Sequence, residues 1–255
     1  MSHFFYSYNG NKRNEINELF ENIDFTNIKN IIEPFCGTSA YSFNLWLKYG
    51  DKFNYYLNDN SKILIDTYHL FMNESLNTIN QELMKIKEHV SNKDEYEAYL
   101  KTGAETIYKH LFYHKYCNFR HSYYPRNNKF NLIKLTKKKL KFLEFIKSPN
   151  VFITNNDWNI IFNQFKDDEN SILIFDPPYY KCDKRLYQNE TFSVFDYILD
   201  NKDVVFKSHM YFILEDIQKI RPIFEHFSIY NEYNKHYTFN HKDTKHIIYY
   251  NKVKL

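Results

Sequence analysis

The chain has 255 residues, 43% hydrophobic and 20% aromatic with only four glycines, which excludes a disordered segment and leaves room for a proper core, as one α/β domain or a domain with a substantial insertion. A net charge of +3 and a pI of about 8.4 exclude nucleic-acid binding through overall charge alone, for which a pI above about 9 is expected, so any basic surface must be local. Cys36, Cys117 and Cys182 form no Cys-x-x-Cys or Cys/His cluster, which argues against a disulfide framework or a metal site.

Met1 to Gly10 lacks the apolar core of a signal peptide, and no run of roughly 18 apolar residues is present to span a membrane. A reduced, intracellular, soluble setting is expected, and the heavy use of Asn, Lys, Ile, Tyr and Phe points to an A+T-rich genome.

Tyr6 to Arg13 is turn-rich and leads into a short helix over Glu15 to Phe20. A glycine turn opening toward a helix, with Lys12 beside it, suits a carboxylate held by backbone N–H groups and an ammonium; a plain N-terminal loop reads the same way. Ile28 to Phe35 is a strand candidate. It runs into Glu33-Pro34-Phe35-Cys36-Gly37-Thr38-Ser39-Ala40 and an amphipathic helix from Tyr41 to Leu47. In this strand, tight turn and helix, Gly37 lets the backbone pass close to a ligand and the helix presents free N–H groups. Phe53 to Leu57 reads as a second strand ending in Asn58-Asp59. An acid about twenty residues beyond the glycine binds ribose hydroxyls in nucleotide-binding βαβ units. Asp59 equally suits the N-cap of the helical run Ser61 to Phe71.

Asn73 to Pro149 breaks the alternation of strands and helices. Helical spacing over Ile79 to Val90 is followed by Tyr108 to Asn131, where basic and amide residues, among them Asn118, Arg120, Arg126, Lys129 and Asn131, interleave with rings. That mixture suits phosphate positioning, base-edge contacts and stacking on unpaired bases. The Lys137-Lys138-Lys139 run extends it, or is a solvated helix face. An inserted, mostly helical recognition subdomain is expected over residues 73–149.

Asn150 to Thr154 resumes as a strand and meets Asn155-Asn156-Asp157-Trp158. Asp157 can accept from an adenine amine while Trp158 covers a ring face, or Asp157 caps a helix over Asn159 to Phe165. Ile172 to Phe175 is short, apolar and β-branched, as in an interior parallel strand. Pro177 and Pro178 stop it, leaving Asp176 and Tyr179 on a stiff turn beyond its carboxyl end, the edge where open α/β sheets bind ligands. These residue types fit amine chemistry. The exocyclic amine of adenine is a poor nucleophile, and a carboxylate accepting one N–H, the Pro177 carbonyl accepting the other and a tyrosine stacked on the base would localise its lone pair. A proline-stiffened loop without that role is the alternative. Lys181 to Thr191 is polar, as in a mobile lid. Val204 to His209 is expected as a strand and Phe212 to Ile220 as a helix. Phe227 to Tyr233, Lys235 to Phe239 and His246 to Asn251 read as strands, with a polar turn at Asn240 to Lys245 and a terminal antiparallel hairpin on a mainly parallel sheet.

In order, Tyr8-Asn9-Gly10-Asn11-Lys12, Glu33-Pro34-Phe35-Cys36-Gly37, Asn58-Asp59, Asp157-Trp158 and Asp176-Pro177-Pro178-Tyr179 resemble the motifs of the Dam-type, D12-class (alpha group) adenine-N6 DNA methyltransferases, over most of the chain. The resemblance implies a Rossmann-like, S-adenosylmethionine-dependent methyltransferase sheet in residues 1–72 and 150–255, with 73–149 as a DNA-recognition insertion. It implies S-adenosylmethionine as cofactor, double-stranded DNA as partner, a flipped adenine as substrate, no metal, and a restriction endonuclease as a candidate counterpart. It assigns Tyr8, Lys12, Asp59 and Asp176 to the cofactor or its site, joined by Glu33, Phe35, Gly37, Asp157 and Trp158. It assigns Asp176, Pro177, Pro178 and Tyr179 to catalysis and points to Asn118, Arg120 and Asn131 for DNA, to which the basic, ring-rich stretch itself adds Arg126 and Lys129.

Three departures stand out. Ser39 replaces the family's second glycine. The family's Asn, Arg and Phe-Asn hairpin pattern is met loosely by Asn118, Arg120, Phe130 and Asn131, with Asn128 or Lys129 in place of its glycine, so no target sequence carries over. Lys245-His246 stands where Thr-Glu is usual. Methyl transfer to RNA or another amine, and a non-catalytic DNA-binding or partner subunit of the same fold, are the competing readings.

Overall fold

The computed structural model describes residues 3–6, 16–88, 94–95, 98–99, 106–118, 122–125, 132–177, 194–237 and 242–251, with the backbone alone for 113–118, 122–125, 236–237 and 242. In chain order the elements are α1 (Ile16–Phe20), β1 (Asn30–Glu33), α2 (Ala40–Tyr49), β2 (Asn54–Asn58), α3 (Lys62–Asn73), α4 (Leu76–Glu88), α5 (Ile107–Tyr116), β3 (Cys117–Asn118) and β4 (Ser122–Pro125). They continue with α6 (Lys137–Ile146), β5 (Val151–Thr154), α7 (Trp158–Phe165), β6 (Ser171–Phe175), α8 (Val194–Asp200), β7 (His209–Glu215), β8 (Ser228–Tyr237) and β9 (Lys242–Tyr250). The chain divides into two compact units, residues 1–11 with 62–149 and residues 12–61 with 150–255.

The second unit is built on a seven-stranded sheet in the order β5-β2-β1-β6-β7-β9-β8. The strands from β5 to β7 are parallel, β9 is antiparallel to β7, and β8 is antiparallel to β9. Central β6 is buried along its whole length, which is why it reads as an unbroken apolar run and not as an alternation. On one face Leu173, Phe175, Phe212 and Leu214 pack with Trp158, Phe162 and Phe165 of α7 and with Phe195 and Ile198 of α8. Because the neighbouring strands are parallel and in register, Glu33 at the end of β1 and Asp59, Asn156 and Asp176 after β2, β5 and β6 all come to one edge.

Two expectations near the C-terminus are corrected. Residues 204–208 are irregular, with Val205 89% exposed, and the strand begins at His209. The residues from Phe212 expected in a helix are the second half of that strand, because Met210 to Leu214 fill a slot between β6 and β9; periodicity cannot separate a short apolar strand from a buried helix. Likewise the described residues from Phe227 to Tyr237 are not two strands. Ser228–Tyr237 is one, accommodated by a register shift between Ile229 and Asn231, and β9 already starts at Lys242 inside the expected turn.

The first unit packs α3, α4, α5 and α6 with the β3–β4 hairpin and residues 3–6. It starts at Lys62 and takes in the N-terminus. Aromatic burial explains both. Phe5 lies flat on Phe71 of α3, with centroids 3.5 Å apart and planes at 5°, and Phe142 of α6 meets His3, Phe4, Phe5 and Tyr68. Lys139 turns inward from the lysine run, donating from Nζ to Phe5 O at 3.3 Å, and burial holds its pKa below the ordinary lysine value. Among the described residues no helix is long and apolar enough to cross a membrane.

Phe5 is 1% exposed, so Phe5→Ala should lower the unfolding free energy by about 3–5 kcal/mol, measured by denaturant titration.

Candidate active site

β1 ends on Glu33, which is 2% exposed, and Glu33 Oε1 accepts a 2.7 Å hydrogen bond from Ser42 N, in the first turn of α2. Ser39, the residue before that helix, makes no side-chain cap and sits in the left-handed region at φ 52, ψ 42. The strand therefore supplies the acceptor that the usual capping position does not, where the helix's free N–H groups favour a negative group. Gly37 is also left-handed, at φ 48, and Ser39 N closes the turn onto Cys36 O at 2.6 Å. Ser39 thus adopts the backbone conformation that glycine enters without steric cost.

β2 ends on Asn58, which is fully buried. Its Nδ2 donates to Pro34 O at 3.1 Å and to Asn156 O at 3.0 Å, and its Oδ1 accepts from Thr154 Oγ1 at 2.8 Å and Asn156 N at 3.0 Å. One amide therefore joins the turns that follow β1, β2 and β5. Asp59, half-buried, accepts from Gly37 N at 3.0 Å through Oδ2 and from Ser61 N at 2.9 Å through Oδ1. The second contact is an Asx turn leading to α3, so the residue both shapes its own loop and grips the Gly37 turn.

Asp157 caps α7, accepting from Asn159 N at 3.4 Å. Trp158 is 5% exposed and packs as a core residue against Phe162, Phe175 and Tyr197. The half-buried ring stacked on it at 6.2 Å is Phe35, from the turn after β1. Half-buried Asp176 follows β6, with Pro177 buried behind it. Tyr8, Lys12, Pro178, Tyr179, the expected lid at 181–191, Arg120, Arg126, Lys129 and Asn131 lie outside the described residues, and Asn118 closes strand β3. The roles of Asn58 and of the Glu33 cap have only one faint sequence signal, an asparagine ending a strand, where that residue type is uncommon.

Burial pushes the Glu33 carboxyl up to about 8, and the negative charge of Asp176 adds to the shift against the opposing hydrogen bonding of Ser42. Burial also raises Asp59 above its ordinary value, opposed by the hydrogen bonds from Ser61 and Gly37. The edge thus gathers Glu33, Asp59 and Asp176, with two of them reluctant to ionise unless a cation is near. Among the described residues no group of three or more His, Cys, Asp or Glu side chains could hold a metal ion.

The family model described as D12 class N6 adenine-specific DNA methyltransferase matches residues 8–238. The chain belongs to that family. It is accordingly an adenine-specific DNA methyltransferase, and its mixed α/β sheet is consistent with a methyltransferase fold. No curated protein matches the chain. The matched span of the D12-class enzyme contains the Glu33 turn, Asn58-Asp59, Asp157-Trp158 and Asp176 to Tyr179.

Two consequences can be measured. Glu33 keeps its proton in the folded chain to about pH 8 but releases it near 4.5 when unfolded, so the unfolded state binds fewer protons across that window and stability falls as pH rises through it. Glu33→Gln, which retains the acceptor for Ser42 N, should flatten the dependence in denaturation curves between pH 5 and 9. Asn58→Leu leaves two carbonyls, an N–H and a hydroxyl without their partner, and should cost about 3 kcal/mol or more, read as a lower denaturation midpoint.

Proposed function

We propose that this D12-class methyltransferase takes its methyl group from S-adenosylmethionine and transfers it to N6 of an adenine flipped out of duplex DNA. The observation that carries the reading is the carboxylate of Asp176 at the end of the buried central strand, beside the Glu33-to-Ser39 turn and Asp59. The cofactor suits the donor set. Its sulfonium and ammonium groups are cationic where Glu33, Asp59 and Asp176 collect, and the left-handed Gly37 turn gives close backbone approach while Asp59 retains acceptor capacity for hydroxyls. When bound, it supplies an electrophilic methyl group on a positively charged sulfur.

The chain's own residues bind and orient. Tyr8, Lys12 and Gly37 hold the methionine end, Asp59 the ribose, and Asp157 with Phe35 the adenosine, while Trp158 backs the Phe35 ring from the core. Asp176 accepts one N–H of the target amine and the Pro177 carbonyl accepts the other, which localises the nitrogen lone pair along the line of attack. Tyr179 stacks on the base, and Pro178 keeps the turn stiff. The base must leave the duplex, because its amine is out of reach inside the stack. Residues 62–149, with the basic, ring-rich stretch over 108–131, serve as the recognition unit. In it Asn118, Arg120, Arg126, Lys129 and Asn131 contact DNA.

Transfer of labelled methyl from S-adenosylmethionine to duplex DNA, with the modified positions mapped, tests this reading. Label should fall on adenine N6 at one recurring short sequence, and Asp176→Ala should reduce turnover by about 10²–10³-fold while the fold, read by circular dichroism, persists. Undiminished turnover in that variant would remove Asp176 from the mechanism.

A further inference from the structure

The C-terminal ribbon is longer than the sheet that holds it. β7 ends at Glu215, paired with His246. Beyond it β8 and β9 continue through four more pairs, Asn234 with Lys245, Lys235 with Thr244, His236 with Asp243 and Tyr237 with Lys242. At a rise of about 3.4 Å per residue the overhang is about 14 Å long. β7 runs parallel to β6 with Phe212 beside Phe175, so the ribbon leaves the sheet at the edge that carries Asp176. β9 is two strands from β6, which at a spacing of about 4.8 Å puts it about 10 Å to the side.

None of the overhang's described side chains is buried. The buried apolar residues of β9, Ile247, Ile248 and Tyr249, all lie in the part paired with β7, whereas Asn234, Asp243 and Lys245 are exposed. Successive residues face opposite ways, so Lys235 and Lys245 leave opposite faces of the ribbon. Lys245 pairs with Glu232 at 2.7 Å with both side chains well exposed, 42% and 37%, and such a pair is weak enough to yield to another anion. Each strand of a duplex carries one phosphate per about 3.4 Å of helix axis, so DNA presenting a base at Asp176 carries several of them across this span. The major groove also admits a two-stranded ribbon.

We propose that the overhanging β8–β9 ribbon is a DNA-contacting arm of the catalytic unit, in which Lys235 and Lys245 bind backbone phosphates flanking the target base and Glu232 tempers that contact. This rests on the reading of the carboxyl edge as the site of DNA methylation. Lysines on an edge strand also discourage pairing between copies, and Lys245 with Glu232 could serve only to brace the ribbon, so the test must separate charge from bracing.

The full chain is assayed for methyl transfer to duplex DNA over a range of salt concentrations, as wild type, as the double variant Lys235→Ala with Lys245→Ala, and as Glu232→Gln. The double variant should raise KM for DNA roughly tenfold and reduce the slope of log affinity against log salt by about 1 for each phosphate no longer neutralised, with kcat and cofactor KM unchanged. Glu232→Gln should lower KM for DNA severalfold, because it frees Lys245 and removes a repelling charge. A brace would be broken by either variant and would move both the same way. The proposal is overturned if the double variant keeps the wild-type KM and salt slope, or if Glu232→Gln raises KM alongside it. Wild-type transfer in the same assay bears on the site itself, so the variants report on the ribbon alone.

Discussion

A buried primary amide holds the carboxyl edge of this sheet in shape. Three turns have to arrive there together, those after β1, β2 and β5, and each carries polar backbone groups into a place that water does not reach. Asn58 meets the need because a single planar group offers two donors and two acceptors, and here all four directions are used, on Pro34, Asn156 and Thr154. A carboxylate would lack the donors and an aliphatic side chain would lack everything but volume. With the turns joined, Gly37 N comes to the carboxylate of Asp59, and the loops at this edge become one object and not three.

The same edge concentrates negative groups in a way the fold alone does not require. Glu33 does structural duty at the N-terminus of α2, yet a glutamine could accept the Ser42 N–H as well. Its carboxyl is desolvated and lies within reach of the charge on Asp176. Without a cation beside it this arrangement favours the neutral acid. With one bound the balance reverses, so the cost of collecting these groups is recovered only when a positively charged ligand is present.

Much of this was legible in the sequence, for identifiable reasons. The strand before Asp176 announced itself because it is buried along its whole length, and the prolines after it mark where it stops. Gly37 and Asp59 were legible through their spacing, although their mutual hydrogen bond was not. The Glu33 cap was hidden because its partner lies nine positions away across a turn, and the Asn58 clamp because its partners include residues 96 and 98 positions distant. Asp157 is the N-cap of α7, one of the two roles its position suits, and Trp158 is a core residue with the half-buried Phe35 ring stacked on it. Residues 204–220 were misread because Phe212 to Leu214, taken alone, fit helix and strand equally well. The DNA contacts proposed for the stretch over 118–131 rest on composition, because spacing says little about the direction of individual side chains.

The connection between β2 and β5 has a bearing on how such an enzyme can change. These strands are parallel neighbours, Tyr55 beside Val151 and Asn58 beside Thr154, so the chain must travel from the carboxyl end of one to the amino end of the other. In a simple α/β unit a crossover of roughly a dozen residues with one helix makes that journey. Here residues 62–149, almost all of the first unit, make it instead. The segment is thus a structural bridge as well as a folded body with its own aromatic core. It cannot be trimmed to nothing without breaking the sheet, but any insert that starts after Ser61 and returns at Asn150 meets the same topological demand. Exchange of whole inserts between relatives is therefore open to evolution and to the protein engineer, while piecemeal shortening is restricted.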